Sequence, residues 1–390
     1  MKKQILFILD WYPTAQNNGC VFAKHLIYAI ADQGYDCVVI APRALTRSNF
    51  SKQNKTSYRR REYTKAGNEI KIYMPFYLHL SSRKQTMKMS MQHHYKSVLR
   101  TIRRERLAPD MVYGHFLYQC GLTASRVGKK LGIPSFCACG ENSLRLQKGK
   151  EPYSTGLRYA GWRSMADDLS GIISVSTYNK QLLLEGGFIS PDMPMEVYPN
   201  GVDDTLFHPR SKAKCREKLG FPQDAFIIAF TGAFTSNKGI DVLNEALKKC
   251  QDVYAIFLGQ GPIQPDCDHI LYAGRVNNKK VPIYLGAADV FVLPTKGEGC
   301  CNAIVEALSC GLPVISSSLP YNDDILDETD SIRVDVESPS EIRDAILALK
   351  QDEEMRKQLA AGAKKAGAEM NIHRRAEKII RFMEKNGCYY

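Results

Sequence analysis

Residues 290–316 read VFVLPTKGEGCCNAIVEALSCGLPVIS. Val290-Phe-Val-Leu is apolar at every position, which suits a strand buried on both faces rather than one with a wet side. Pro294 ends the run, and residues 295–299 form a polar loop. From about Cys301 or Asn302 the apolar residues fall at helical spacing through Glu306 and Leu308, until Gly311 and Pro313 stop the helix. A second apolar run begins at Val314. Strand, loop, helix and strand in that order is the pattern of a parallel sheet covered by helices.

The same alternation extends in both directions. In the second half it predicts strands over 226–230, 254–258, 270–273, 290–293, 314–316 and 331–334. Helices are expected over 239–250, 280–287 and 302–310, with three more closing the chain at 338–350, 353–367 and 373–386. In the first half it predicts strands over 4–9, 37–41, 70–74, 111–114, 135–139 and 171–175, with helices over 21–31, 85–107 and 119–130. Segment 44–68 is polar and basic and is expected to be a long loop. Segment 191–224, rich in Pro, Asp, Lys and Arg, reads as a linker. The fold class is therefore α/β: two Rossmann-like, doubly wound parallel-sheet domains facing a cleft. Their expected bounds are 1–195 and 196–370, with 371–390 a C-terminal helix packing back toward the N-terminal domain.

Composition fits two globular domains. The 390 residues are 44% apolar and 24% charged, close to ordinary globular usage. No apolar run approaches the ~20 residues that span a bilayer. Lys2 and Lys3 precede a short apolar stretch, but Asp10 ends it and no small-residue cleavage site follows, so a buried first strand is expected instead of a signal peptide. The 12 cysteines include no C-x-x-C pair and lie largely in apolar segments, the pattern of buried thiols in a reducing compartment, with neither disulfides nor zinc expected. The net charge of +12 is lopsided. Residues 1–200 hold 29 Lys and Arg against 14 Asp and Glu, and the rest of the chain is slightly acidic. An anionic partner for the first half follows: nucleic acid, a phosphate-bearing acceptor, or the inner leaflet of a membrane.

In open α/β sheets ligands bind beyond the carboxyl ends of strands. A helix start there presents unpaired N–H groups and a partial positive charge, a cradle for phosphate. Gly299, Cys300, Cys301 and Asn302 form that start, with Glu298 before it and Glu306 one turn inside. Two carboxylates bracketing a phosphate cradle suit a nucleotide sugar, with ribose on Glu306, diphosphate at the helix start and hexose at Glu298. The spacing of the two acids alone arises about once by chance in such a chain, so its strand–loop–helix context carries the weight. A surface pair on an ordinary helix is the alternative. Thr231-Gly-Ala-Phe-Thr-Ser-Asn-Lys-Gly239 follows an earlier strand, where Gly232 permits close backbone approach and Lys238 offers a point charge for phosphate. Ala273-Gly-Arg-Val276 follows another, and the backbone at Arg275 and Val276 could hold a base edge.

These stretches together resemble the retaining glycosyltransferases of family 4. The resemblance runs through Asn200-Gly-Val-Asp203 with Phe207, Lys238-Gly239, Gly259-Gln-Gly261, Gly274-Arg-Val276, Tyr284-Leu285 with Ala288-Asp289, Glu298-Gly-Cys-Cys-Asn302 with Glu306-Ala307, and Cys310-Gly-Leu-Pro-Val314. In the first half Gly19 resembles the family's glycine-rich turn facing the donor, Gly114-His115 its strand-end histidine near the transferred sugar, and Gly140-Glu141 its acceptor-side pair, with Asn142 beside it. The resemblance implies the GT-B architecture of two facing Rossmann-like domains and transfer of a hexose from a nucleoside-diphosphate sugar to an acceptor hydroxyl with retained configuration. Glu298, His115 and Lys238 are its implied catalytic residues. It requires no metal and no cofactor beyond the nucleotide-sugar co-substrate. Three departures stand out: Ala233 where many members have Arg, Cys139 where His is frequent, and Leu-Pro-Tyr-Asn-Asp-Asp324 where a Gly-Gly-x-x-Glu segment is common.

Asp266-Cys-Asp268 mimics a D-x-D metal motif but lies in a Pro-rich loop away from these residues, and no His/Cys set has metal-ligand spacing. The segment 85–107, together with Lys84, carries Lys88, Lys96, Arg100, Arg103, Arg104 and Arg106, a basic amphipathic helix able to lie on anionic lipid. The expected location is cytoplasmic, peripheral at the inner face of the plasma membrane, with a lipid-linked glycan as acceptor for cell-surface polysaccharide. Aromatic-flanked RNA motifs are absent, so nucleic acid is not expected as a partner. A sugar-nucleotide epimerase on the same fold and a non-catalytic basic binder of membrane or nucleic acid are the competing readings.

Overall fold

A computed structural model of the chain describes residues 2–13, 20–45, 57–79, 84–146 and 166–387. The chain divides into two compact units, residues 1–198 with 373–390, and residues 199–372.

The first unit is built on an eight-stranded sheet. Its strands are β1 (Gln4–Ile8), β2 (Asp36–Ile40), β4 (Arg59–Tyr63), β5 (Glu69–Tyr73), β7 (Met111–His115), β8 (Ser135–Cys139), β9 (Gly171–Ser174) and β10 (Met195–Val197). Strands β3 (Arg43–Leu45) and β6 (Phe76–Leu78) pair separately. The order in the large sheet is β10-β9-β8-β7-β1-β2-β5-β4, parallel throughout except for β4. Ile5 to Ile8 of β1 and Cys37 to Ile40 of β2 are fully buried, as strands covered on both faces must be. Helices Val21–Asp32, Lys84–Arg104 and Leu122–Leu131 supply cover.

The loop expected over 44–68 is corrected in part: Arg59–Tyr63 is an antiparallel edge strand on β5, and residues 46–56 lie outside the described residues. Its sequence RRREY holds four charged residues and one exposed tyrosine, which hides it from a search for buried runs. On an edge, however, charge discourages pairing with a further strand. Its one inward acid, Glu62, accepts hydrogen bonds from Tyr12 (2.9 Å) and Tyr28 (2.5 Å) and pairs with Lys24 at 2.8 Å.

The second unit holds six parallel strands in the order β13-β12-β11-β14-β15-β16. These are β11 (Phe226–Thr231), β12 (Val253–Leu258), β13 (Ile270–Gly274), β14 (Val290–Leu293), β15 (Val314–Ser317) and β16 (Ser331–Val334). The linker reading of 191–224 is also corrected, because β10 and a helix, Lys212–Leu219, fall inside it. That helix is anchored rather than loose. Buried Asp289 pairs with Arg216 at 2.7 Å, accepts from the Ile227 amide at 2.7 Å, and pairs with Lys212. The final helix, Ile372–Asn386, belongs with the first unit from His373 onward. There Phe382 packs edge-on to Phe136 with ring centroids 6.0 Å apart, and a side chain at Gly171 would collide with it.

Candidate active site

In the second unit the strand order reverses between β11 and β14, and the carboxyl ends of these two strands open the crevice in which α/β sheets take ligands. The loop after β11 carries Gly232 and Lys238, and the loop after β14 carries Glu298 to Cys301. Backbone bonds tie the loops together: the Lys296 amide donates to the Asn237 carbonyl at 2.8 Å, and the Thr295 hydroxyl donates to the same oxygen at 3.1 Å. Gly239 has φ +69°, and a Cβ there would stand 2.0 Å from the Pro294 carbonyl oxygen, so only glycine lets the two loops meet.

The approach brings Lys238 onto Glu298, and the two side chains form an ion pair. The Thr295 hydroxyl also stands 3.1 Å from the same carboxylate, so its one proton is shared between Glu298 and the Asn237 carbonyl. Burial works to lower the Lys238 pKa, but the Cys301 sulfur and the Glu298 carboxylate outweigh it, and the net shift is upward. Burial, with the Glu298 charge adding to it, pushes the Cys301 thiol up to about 12, so it is not a nucleophile at neutral pH. Helix Asn302–Ser309 begins at this point with Cys301 as its N-cap and no side-chain cap on its first amides. Gly299, Cys300 and Asn302 therefore stand with Glu298 and Lys238 around one helix start. Cys300 is fastened to the Asn200 segment, which donates through its side chain to the Cys300 carbonyl at 3.1 Å.

Glu306 lies one turn inside that helix and is half-buried. Loss of water pushes its pKa up to about 8, against the lowering effect of a hydrogen bond from Asn278. That bond links the helix to the loop after β13. Arg275, in the same loop, is exposed and Val276 is half-buried, while the Arg275 carbonyl accepts from the Tyr272 hydroxyl at 3.2 Å. Asp266 of the D-x-D stretch pairs with Lys248.

Sequence reasoning missed three supports of this site. Asn278 holds Glu306, Thr295 holds Glu298, and Tyr321 donates to the Thr295 carbonyl at 2.5 Å from within the divergent Leu-Pro-Tyr-Asn-Asp-Asp324 segment. Thr295 sits three residues from Glu298 and was legible as a local partner. Asn278 and Tyr321 reach the site only through tertiary contact, which no local pattern reveals.

The first unit has its own reversal, between β1 and β7. His115 ends β7. It is 3% exposed, and neither ring nitrogen has a hydrogen-bond partner among the described residues. Burial, reinforced by nearby Arg375, holds its pKa down to about 3, so the imidazole is neutral. Phe22 and Phe116 flank the ring, with centroids 5.2 and 4.7 Å away. Phe116 adopts φ +75°, a strained value for an aromatic residue. Buried Glu141 secures the strained turn by accepting from the Leu117 amide at 2.6 Å, and its own carbonyl accepts from Asn179 at 2.8 Å. Asn142 follows it and is half-buried. Gly19 lies outside the described residues.

Comparison with known proteins adds to this geometry. Residues 211–366 match the model of the glycosyl transferases group 1, and residues 21–206 match that of Glycosyltransferase Family 4. TuaC of Bacillus subtilis, named for teichuronic acid biosynthesis, is 29% identical over 81% of each chain. A UDP-Gal:alpha-D-GlcNAc-diphosphoundecaprenol alpha-1,3-galactosyltransferase of Escherichia coli is 28% identical over 53% of this chain and 58% of its own. Among solved structures, sucrose-phosphate synthase from Thermosynechococcus elongatus superposes with a TM-score of 0.78 at 14% identity, covering 98% of this chain and 99% of that one. Anabaena HepE in complex with UDP-glucose superposes at 0.72 and 15% identity, covering 98% and 99%. With two family models spanning nearly the whole length and this fold beneath them, the chain belongs to the family 4 glycosyltransferases of the GT-B architecture.

Proposed function

We propose that this glycosyltransferase moves a hexose from a nucleoside-diphosphate sugar to a hydroxyl of a lipid-linked glycan, in cell-surface polysaccharide synthesis, with retention of configuration. One observation carries the reading: an ammonium, a carboxylate and an uncapped helix start meet at the carboxyl ends of β11 and β14. As the bond from the anomeric carbon to the diphosphate breaks, negative charge grows on the leaving oxygen. Lys238 and the helix amides stabilise it. Glu298 accepts hydrogen bonds from the hexose hydroxyls and offers negative charge near the developing oxocarbenium ion. Glu306 and Asn278 take the ribose, and the backbone at Arg275 and Val276 takes the base.

The first unit binds the acceptor. Neutral His115 offers its unpartnered ring nitrogens to a sugar hydroxyl, and Glu141 with Asn142 shapes the acceptor side. The acceptor oxygen bonds to the anomeric carbon on the face the diphosphate leaves, and the leaving phosphate takes the acceptor proton. No protein nucleophile and no metal is needed. The names of related proteins, which include teichuronic acid biosynthesis, O-antigen biosynthesis and transfer to a diphosphoundecaprenol-linked sugar, support a lipid-linked acceptor. The HepE complexes with UDP and UDP-glucose support a uridine donor. A cytoplasmic enzyme that touches the inner leaflet accounts for the basic first half.

A panel of nucleotide sugars, screened for thermal stabilisation and then for transfer to undecaprenyl-linked acceptors, tests the reading. A true donor at a hundred times its Kd stabilises by about 2.7 kcal/mol. If no nucleotide sugar stabilises the protein, the proposal fails. The anomeric coupling constant of the product decides retention.

A further inference from the structure

Three chemically distinct ligating groups converge in the first unit. A carboxylate oxygen of Asp10, a ring nitrogen of His94 and the thiol of Cys120 lie within 4.8 Å of one another. They come from three separate elements. Asp10 follows β1, His94 lies in the middle of helix Lys84–Arg104, and Cys120 sits in the irregular turn Leu117–Gly121 after β7. The turn folds back tightly over β7, because a Cβ at Gly114 would come within 2.6 Å of the Cys120 carbonyl oxygen. That fold-back delivers the Cys120 thiol to Asp10, at 3.1 Å from its Oδ1.

His94 carries the second, independent observation. It is 1% exposed, and its Nε2 is buried with no hydrogen-bond partner among the described residues. Its Nδ1 is fixed by the Thr123 hydroxyl at 2.8 Å, and Tyr77 stands edge-on to the ring at 5.0 Å. An unsatisfied buried nitrogen costs free energy that folding does not recover. A ring held at one nitrogen by a second partner, with the other nitrogen open, is how proteins orient a metal-binding histidine. A divalent cation would accept the imidazole lone pair and bind the Asp10 carboxylate and the Cys120 thiolate that converge with it.

We infer that Asp10, His94 and Cys120 form a zinc site that clamps the end of β1, helix Lys84–Arg104 and the turn after β7. The mixed O, N and S donor set selects a borderline cation such as zinc over magnesium or calcium, which prefer oxygen alone. Zinc holds its donors at about 2.0–2.3 Å, so the three groups draw in around it on binding. Three protein donors leave a fourth tetrahedral position to a water molecule. Binding replaces the Cys120 thiol proton with the metal and releases that proton to solvent. The inference does not rest on the proposed sugar transfer. No local spacing announced it, since its ligands are scattered over residues 10, 94 and 120.

The full-length chain, free of any histidine tag, is equilibrated with zinc, desalted and measured by elemental analysis. The expected result is about one zinc per chain, as a single site requires. Asp10→Asn, His94→Gln and Cys120→Ser should each lose most of it. Cobalt provides a readout independent of the variants' stability: the wild-type chain loaded with cobalt should gain an intense thiolate-to-metal band in the near ultraviolet. Cys120→Ser should abolish that band, while Cys267→Ser, at the half-buried thiol elsewhere, should keep it. Wild-type protein that retains no stoichiometric zinc and shows no cobalt band would overturn the inference. So would a band that survives Cys120→Ser.

Discussion

The Lys238–Glu298 pair joins two charges that the proposed reaction uses separately. In the free site they neutralise each other. An incoming diphosphate competes for the ammonium and releases the carboxylate toward the sugar. Glu298→Gln keeps the shape and the Thr295 contact but removes the charge facing the anomeric centre. We expect kcat/KM to fall by about 10²–10³-fold, as for other losses of transition-state electrostatics, with nucleotide affinity changed far less. Lys238→Ala should weaken nucleotide binding as well, and calorimetry with the free nucleoside diphosphate separates the two effects. A Glu298→Gln enzyme with wild-type kcat would sink the assigned role. Glu306 makes a prediction in pH. Its carboxyl titrates near 8 in the folded chain against an ordinary 4.5, so between those values the folded state holds a proton that the unfolded chain has released. The protonated state's stability is fully present below about 4.5 and is lost as pH rises through about 8. Relative to Glu306→Gln, whose amide stays neutral, the wild-type melting temperature should therefore fall steadily across this window. A gap between the two that does not move with pH would show that Glu306 is solvated.

Helix Lys84–Arg104 divides sharply into two faces. Met91, His94, Ser97, Val98, Thr101 and Ile102 are buried, while Lys88, Lys96, Arg100, Arg103 and Arg104 are exposed. Such a face supports the proposed contact with anionic lipid at ~1 kcal/mol per basic residue. Replacing Lys96, Arg100 and Arg103 by glutamine should weaken binding to phosphatidylglycerol vesicles on the order of a hundredfold at low salt, in a co-sedimentation assay. Thermal stabilisation by nucleotide should be unchanged. Equal binding of the variant and the parent would remove the membrane from the proposal. Apolar patterning made this helix legible and also β1, β2, β7 and β14, whose short apolar runs read as strands from their length and their place between helices. It failed for β4, whose RRREY is stabilised by cross-strand and Glu62 contacts rather than by its own hydrophobicity. It failed equally for helix Lys212–Leu219, whose buried face is largely one arginine bound to Asp289. Charged segments that fold by pairing with distant partners look, in sequence, like linkers. The site divides in the same way: Glu298, Glu306 and Lys238 stand in readable strand–loop–helix frames, whereas Asn278 and Tyr321 do not.

At the scale of the whole molecule, chain order and spatial order part company at the C-terminus. After passing through the second unit the chain returns to the first, and helix Ile372–Asn386 buries Ala376, Ile379, Ile380, Phe382 and Met383. Lys3 pairs with Glu384 at 3.0 Å, and Arg375 donates to the Tyr198 carbonyl at 3.3 Å, so the last helix is stitched to both ends of the first unit's main segment. Each fully buried large apolar side chain contributes about 1.5–3 kcal/mol. Four of them approach the ~5–15 kcal/mol that typically separates a folded domain from its unfolded state. A chain ending at residue 372 should therefore lose the first unit while retaining the second, although the deleted residues follow the second in sequence. Hydrogen exchange distinguishes the outcomes: amides of β8 and β9, beneath Phe382, should lose protection, while those of β14 and β15 keep theirs. Nucleotide should still protect the Lys238 and Glu298 loops of the truncated chain, since Lys238, Arg275, Val276, Asn278, Glu298 and Glu306 all lie between 199 and 372. Loss of protection in β14 instead would mean that the second unit does not stand alone.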